Sequence, residues 1–172
     1  EDILLALTPL FQNPKLSTDA LFPRLLAAIA HPLLAAGVLD LANFVMRQKL
    51  VSQHPAAAIS GQLIELLGQL VGTLGKLTEQ APSEEQSMAE IGRQVSQSVS
   101  LAVSLCDSLA LIGDMEAIGK LHQALDLGHR RLRTEAAAAL ARLGEEHGKE
   151  ELLKLAAEPV AGGLAGLQLA AA

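Results

Sequence analysis

Flat side chains are scarce in this chain. Its 172 residues include three Phe, no Trp and no Tyr. That scarcity counts against binding of single-stranded nucleic acid, which stacks its bases on aromatic rings. Cys106 is the single cysteine, which excludes an intrachain disulfide and a cysteine-based metal site. At helical spacing it falls on an apolar face, so plain burial is expected. A basic excess is lacking too. The net charge is -6, with six acids and five bases in residues 1–80, five acids and one base in 81–114, and eight acids and seven bases in 115–172. No stretch carries the positive excess that a nucleic-acid footprint requires. A Gly-rich phosphate loop, a Ser-x-x-Lys motif and a dinucleotide fingerprint are likewise absent. The glycines fall inside helical patterns and at their ends.

What the chain has is aliphatic. Hydrophobic residues make up 50% and the mean hydropathy is +0.32. A core of Leu, Ala, Val and Ile suits closely packed helices, and the length is enough for one domain. Ile3 to Phe11 reads as a short apolar segment. Ser17, Thr18 and Asp19 offer N-caps before a helix over 20–30. His31-Pro32 and His54-Pro55 read as breaks that start the next helices, Leu33 to Gln53 and Pro55 to Glu79. In the first of these, Val38, Leu41 and Val45 share a face. The second carries two apolar stripes, Leu63-Leu66-Leu70-Leu74-Leu77 and Ile64-Leu67-Val71-Leu74. So wide an arc implies burial on two sides, or burial on one side with a partner or a second copy on the other. Gly61, Gly68 and Gly75, with Gly72 between, suggest close approach of a neighbouring backbone. The longest apolar windows, Leu33 to Val51 and Leu63 to Leu77, contain Asp40, Arg47, Glu65 and Lys76 and read as too polar or too short to span a bilayer.

Gln80 to Glu85 reads as a loop, and Ser83 with Gln86 forms a capping box. The next helix keeps a seam of Met88, Val95, Val99, Ala102, Cys106 and Leu109. Ser98 to Leu105 also alternates like a strand, but nothing is available to pair with it. Its serines form a small polar stripe, read as solvated or in contact with another helix, with no base spaced to activate them. Gly113-Asp114 reads as a stop and a fresh N-cap, Met115 to Leu127 as a helix, and Gly128 as its C-cap.

The stretch from Leu109 to Pro159 repeats. Shifted by 31 residues, Leu109 to Asp114 (LALIGD) falls on Leu140 to Glu145 (LARLGE), and Leu121 falls on Leu152. A fixed period of that size marks a helical repeat. With Asp126, Leu132-Arg133, Ala136 to Leu140, Leu143-Gly144, Leu152-Leu153 and Glu158-Pro159, the stretch resembles the HEAT-like repeats of bacterial α-solenoids. The resemblance implies an all-α superhelix whose repeats cover 84–159, with longer packed helices over 1–80 and a frayed or truncated repeat over 160–172, in a single domain. It also implies that Arg133 forms a ladder with the loop acid Asp126. His129-Arg130-Arg131 is read mainly as solvated, with an anion contact as the functional alternative.

Residue types for catalysis do not converge. His122, His129, His147, Glu145 and Glu146 are the only conceivable metal set, and they lack the repeated pairs of the di-iron HEAT-like enzymes. The expectation is therefore no metal, no cofactor and no enzyme activity. The function expected is a non-catalytic scaffold that binds a protein partner or another copy of itself, without nucleic acid or a membrane span. The alternatives are a HEAT-like lyase, another cofactor-handling relative, or a HEAT-like base-processing glycosylase, which the balanced charge opposes. A cytoplasmic location is expected, and the start at Glu1-Asp2 reads as trimmed, which leaves a removed targeting signal open. The docking surface is expected on the helix Arg131 to Leu143, where Arg131, Glu135, Ala138 and Arg142 face away from the core. Arg131 and Glu135 are spaced to pair, whereas Arg142 has no acid one turn earlier and is free to meet an acidic partner segment.

Overall fold

The computed structural model describes residues 18–79 and 88–158. Among them are seven α-helices and no strand: α1 (Thr18–Leu26), α2 (Pro32–Arg47), α3 (Ser60–Glu79), α4 (Met88–Ile112), α5 (Ile118–Leu125), α6 (Arg130–Arg142) and α7 (Glu146–Ala157). Short 3-10 turns cover Ala27–Ala30, Ala57–Ile59 and Met115–Ala117. Ser98 to Leu105 is helix, as its lack of a pairing strand requires. The readings for Ile3 to Phe11, for the capping box at Ser83 and Gln86, and for 160–172 lie outside the described residues.

The helices form two layers. α2, α4 and α6 lie side by side, α4 between the other two. On the other layer α3 lies beside α5. Consecutive helices cross from layer to layer, α3 packing on α4, α5 on α6, and α6 on α7. Fully buried Leu39, Leu63, Leu67, Leu105, Leu109, Leu121, Leu132 and Leu140 fill the space between. Cys106 is buried among them, and burial pushes its thiol well above the ordinary range, with the charges of Glu135 and Asp107 adding to the shift. It is a core residue rather than a nucleophile.

The two glycines matched by the shift share a backbone feature. Gly113 and Gly144, the residues matched by the shift of 31, both take positive φ, +79° and +94°. Each is followed by an extended acidic N-cap, Asp114 (φ -81°, ψ 108°) and Glu145 (φ -73°, ψ 119°). A left-handed glycine followed by an extended residue stands at both turns, but Asp114 caps a 3-10 turn with its side chain whereas Glu145 opens α7 without a side-chain bond. The Asp114 carboxylate accepts the Glu116 N–H at 3.0 Å. Gly128 is not a cap of this type, since α5 already closes at Leu125 and Asp126.

Several boundaries differ from the sequence reading. α2 ends at Arg47, not Gln53, because Lys49 turns left-handed at φ +57°. His31 and Pro32 open α2 as expected, whereas His54-Pro55 opens no helix and lies in the turn before Ala57–Ile59. In α3, Leu63, Leu67, Val71 and Leu74 are buried, and Ile64, Leu66 and Leu70 pack beside them. Part of the wide arc is used within the chain: Ile64, Leu66, Leu70 and Leu77 keep partial exposure, and Gln62, Glu65, Gln69, Thr73 and Lys76 point outward. The α3 glycines do not admit a backbone: Gly68 faces the Lys120 side chain (3.1 Å from an added Cβ), and Gly61 and Gly72 face open space. The close approach is at Gly148 instead, where a Cβ would stand 2.5 Å from Ala141 N and 2.7 Å from Ala137 O. The run of alanines in α6 lets α7 settle at that depth.

Two helical runs, Ala57–Leu77 (21 residues) and Ala89–Ile112 (24 residues), are long and apolar enough by composition to cross a membrane. The first extends the Leu63 to Leu77 window back through the 3-10 turn before α3; the second is α4, which lies outside both windows read from the sequence. Length alone therefore does not exclude a span.

Candidate functional site

Polar residues interrupt the apolar helices of the α2–α4–α6 layer at helical spacing. Asp40, Asn43 and Arg47 share one face of α2, Ser104, Asp107 and Ser108 one face of α4, and Arg131, Glu135, Ala138 and Arg142 one face of α6. The packing of α4 between α2 and α6 brings the three sets together.

Asp107 is the centre. It is nearly buried, and Oδ1 accepts from Arg47 Nη2 at 2.5 Å and from Arg142 Nη1 at 2.9 Å. One carboxylate oxygen thus ties α2, α4 and α6 together. Both guanidinium groups are nearly half exposed, at 46% and 44%. Arg142 also lies 3.6 Å from Glu135 Oε1, an oxygen that is buried with no hydrogen-bond partner among the described residues. Burial raises the Glu135 carboxyl above its usual range, and the Asp107 charge adds to this, while Arg142, Arg47 and Arg131 oppose it. Asp40 is raised in the same way, by burial first and the Asp107 charge next, although Ser104 donates its hydroxyl to Oδ1 at 2.6 Å.

A neutral network lies beside this charged one. The Ala56 N–H donates to His54 Nδ1 at 3.2 Å, so the ring proton sits on Nε2, which donates to Asn43 Oδ1 at 2.9 Å. Ser108 Oγ lies 2.8 Å from the same Asn43 oxygen and 2.8 Å from Ser104 O, and its one proton is shared between them. Asn43 Nδ2 donates to Ser104 O at 3.3 Å. Every member is buried. Burial lowers the His54 pKa to about 4. Buried polar groups with complete partners fix the register of the helices that carry them.

The expected docking residues are therefore on one face, but their pairing differs. Arg142 is not free: its acid comes from α4, a different helix, and intrahelical spacing could not show that. Glu135 turns to Arg142 rather than to Arg131. Arg131 is exposed and acts on Asp40 and Glu135 without a close ion pair among the described residues. Ala138 is half-buried between them. The cluster after His129 splits. Arg130 donates to Leu155 O at 2.6 Å and reaches Glu158. Arg133 pairs with Glu158 at 3.5 Å and Glu151 at 3.9 Å. The expected ladder to Asp126 does not form, because Arg133 points to α7. Sequence reading missed Asp40, Asn43, Arg47, Asp107 and His54; the spacing of the first four in otherwise apolar helices was the available signal, whereas His54 lies in a turn and offered none.

His122 and His147 stack at 5.5 Å between ring centroids, with His147 3.8 Å from Glu150. No group of three or more His, Cys, Asp or Glu that could hold a metal ion occurs among the described residues. A cleft of about 500 Å³ between α1 and the 50–55 turn has His54 as its one titratable lining residue, and both ring nitrogens of His54 are already engaged. Comparison with known protein families, curated proteins and solved structures finds no match to this chain.

Proposed function

We propose that the chain is a helical-repeat docking module of the HEAT-like kind, which binds a protein partner on the outer face of α2, α4 and α6. The observation that carries this reading is the three-helix tie Arg47–Asp107–Arg142, whose guanidinium edges face solvent while its carboxylate is nearly buried. A tie of that kind holds the face rigid, so a partner meets donors already in place and less ordering entropy opposes binding. The left-handed glycines at Gly113 and Gly144 support the repeat architecture, in which the second helix of each pair commonly lines the docking side. The opposite layer supports the choice by contrast, since α3 presents polar residues and glycines outward and carries no such charged tie there, while it buries Leu63, Leu67 and Leu74.

The experiment is affinity capture from the source cell with three proteins: wild type, Ala138→Trp and Gln69→Trp. A bulky ring at Ala138 is expected to abolish capture of the principal partner while Gln69→Trp, on α3, leaves it intact. Loss with Gln69→Trp alone would place docking on the other layer and overturn the reading.

A further inference from the structure

We infer that the partner segment seated on this face is acidic, and that a carboxylate side chain of that segment is received between the forks of Arg47 and Arg142. The inference rests on the docking reading and specifies its chemistry. Both arginines reach the same Asp107 oxygen, at 2.5 and 2.9 Å, so their donor nitrogens are no further apart than those two distances laid end to end. Two guanidinium groups from different helices are held close to each other by one buried anion. Each guanidinium has five N–H donors. Contact with Asp107 uses one nitrogen of each, and the half-exposed remainder faces solvent. That leaves a convergent, prepositioned set of donors with the planar geometry that suits a carboxylate.

Exposure gives the sign: the arginine side chains are 46% and 44% exposed, while that of Asp107 is 9% exposed. Arg47, Arg131 and Arg142 bring three positive charges to the face, against Asp107, Glu135 and Asp40. Glu135 and Asp40 are the groups whose ionisation burial and the Asp107 charge disfavour. The chain is acidic overall, at -6, whereas this face balances three arginines against three carboxylates.

The test uses the purified full chain and a fluorescent peptide of alternating Glu and Gly, with a Lys/Gly peptide and a phosphoserine/Gly peptide as comparison probes. Anisotropy is expected to show salt-sensitive binding of the Glu peptide and none of the Lys peptide. Arg142→Gln and Arg47→Gln should each weaken it by about tenfold, the loss of one charge-assisted contact. Each single variant leaves Asp107 with its other arginine, so folding is retained and a melting curve verifies it. Arg131→Gln removes no close ion pair and gives a second, structurally silent variant, expected to weaken binding by a few-fold. Arg93→Gln, on the exposed start of α4, should change nothing. Four results would each overturn the inference: no binding of the Glu peptide, preference for the Lys peptide, binding of the phosphoserine peptide alone, or an equal loss with Arg93→Gln. If the Glu peptide fails while Ala138→Trp still abolishes partner capture, the docking face stands and only its acidic occupant is wrong.

Discussion

At the residue scale the buried histidine has the clearest consequence. The neutral His54 ring is held by Ala56 N–H and Asn43, and its pKa is lowered from 6.5 to about 4 by burial. The unfolded chain takes up a proton near pH 6.5 and the folded chain only near pH 4, so the group's contribution is present above pH 6.5 and lost as pH falls to 4. The gap corresponds to about 3 kcal/mol. Urea unfolding across that interval is expected to show the loss, and His54→Gln to remove most of it; an unchanged slope in the variant would assign the pH dependence to other groups. Glu135 has the opposite sign. Its raised pKa means that its ionised form costs stability at neutral pH, a cost relieved as pH falls through the folded value toward 4.5. Glu135→Gln should therefore match or exceed wild type at neutral pH and flatten the slope just above pH 4.5. A lower melting temperature at neutral pH would show that the Arg142 contact outweighs burial. The sequence showed the face on which Glu135 lies but not its burial or its pairing with Arg142, and it showed nothing of the role of His54. His54 beside Pro55 looks like a turn residue, because its partners Asn43 and Ser108 lie on two other elements. The placement of Cys106, by contrast, follows directly from the apolar face on which it falls.

At the element scale the turns were legible and the ends of helices were not. The shift that matches Gly113 with Gly144 predicts one turn made twice, and both residues take the left-handed backbone. Substituting Ala at either glycine is expected to cost about 1–2 kcal/mol. The two costs should be alike, since both glycines are left-handed; a large cost at one and none at the other, measured by denaturant unfolding, would mean that the repeat is a coincidence of sequence. α2 was read too long because nothing in the sequence after Arg47 signals a left-handed Lys49. The alanines of α6 read as helix, but the reason for them is Gly148, which needs backbone at contact distance. Gly148→Ala should destabilise the chain by about 1–3 kcal/mol through overpacking against Ala137 and Ala141. Proteolysis should find α7 released first in that variant. A neutral effect would mean that α7 can slide on α6 without loss. The arc of α3 was seen, but its use was ambiguous: only the layered packing shows neighbours on both sides of the stripe.

At the scale of the whole molecule, Asp107 makes one surface out of three helices. Asp107→Asn leaves Arg47 and Arg142 facing each other without a counter-charge. Because both arginines are nearly half exposed and screened by solvent, the loss is expected to be about 1–2 kcal/mol, smaller at high salt. The sequence placed Arg131, Glu135, Ala138 and Arg142 on a common face but could not supply Arg47 and Asp107, since they stand 60 residues apart and meet only when α4 lies against α2. A rigid, arginine-edged face on one layer and a polar, glycine-spaced face on the other make opposite claims about where a partner sits. Site-specific photo-crosslinking decides between them most directly, with the reactive group placed at Ala138 in one protein and at Gln69 in another, each exposed to the source cell extract. Crosslinking of a single partner species from Ala138, competed by the Glu peptide and absent from Gln69, is the result this account predicts. The same species crosslinked from Gln69 and not from Ala138 would contradict it.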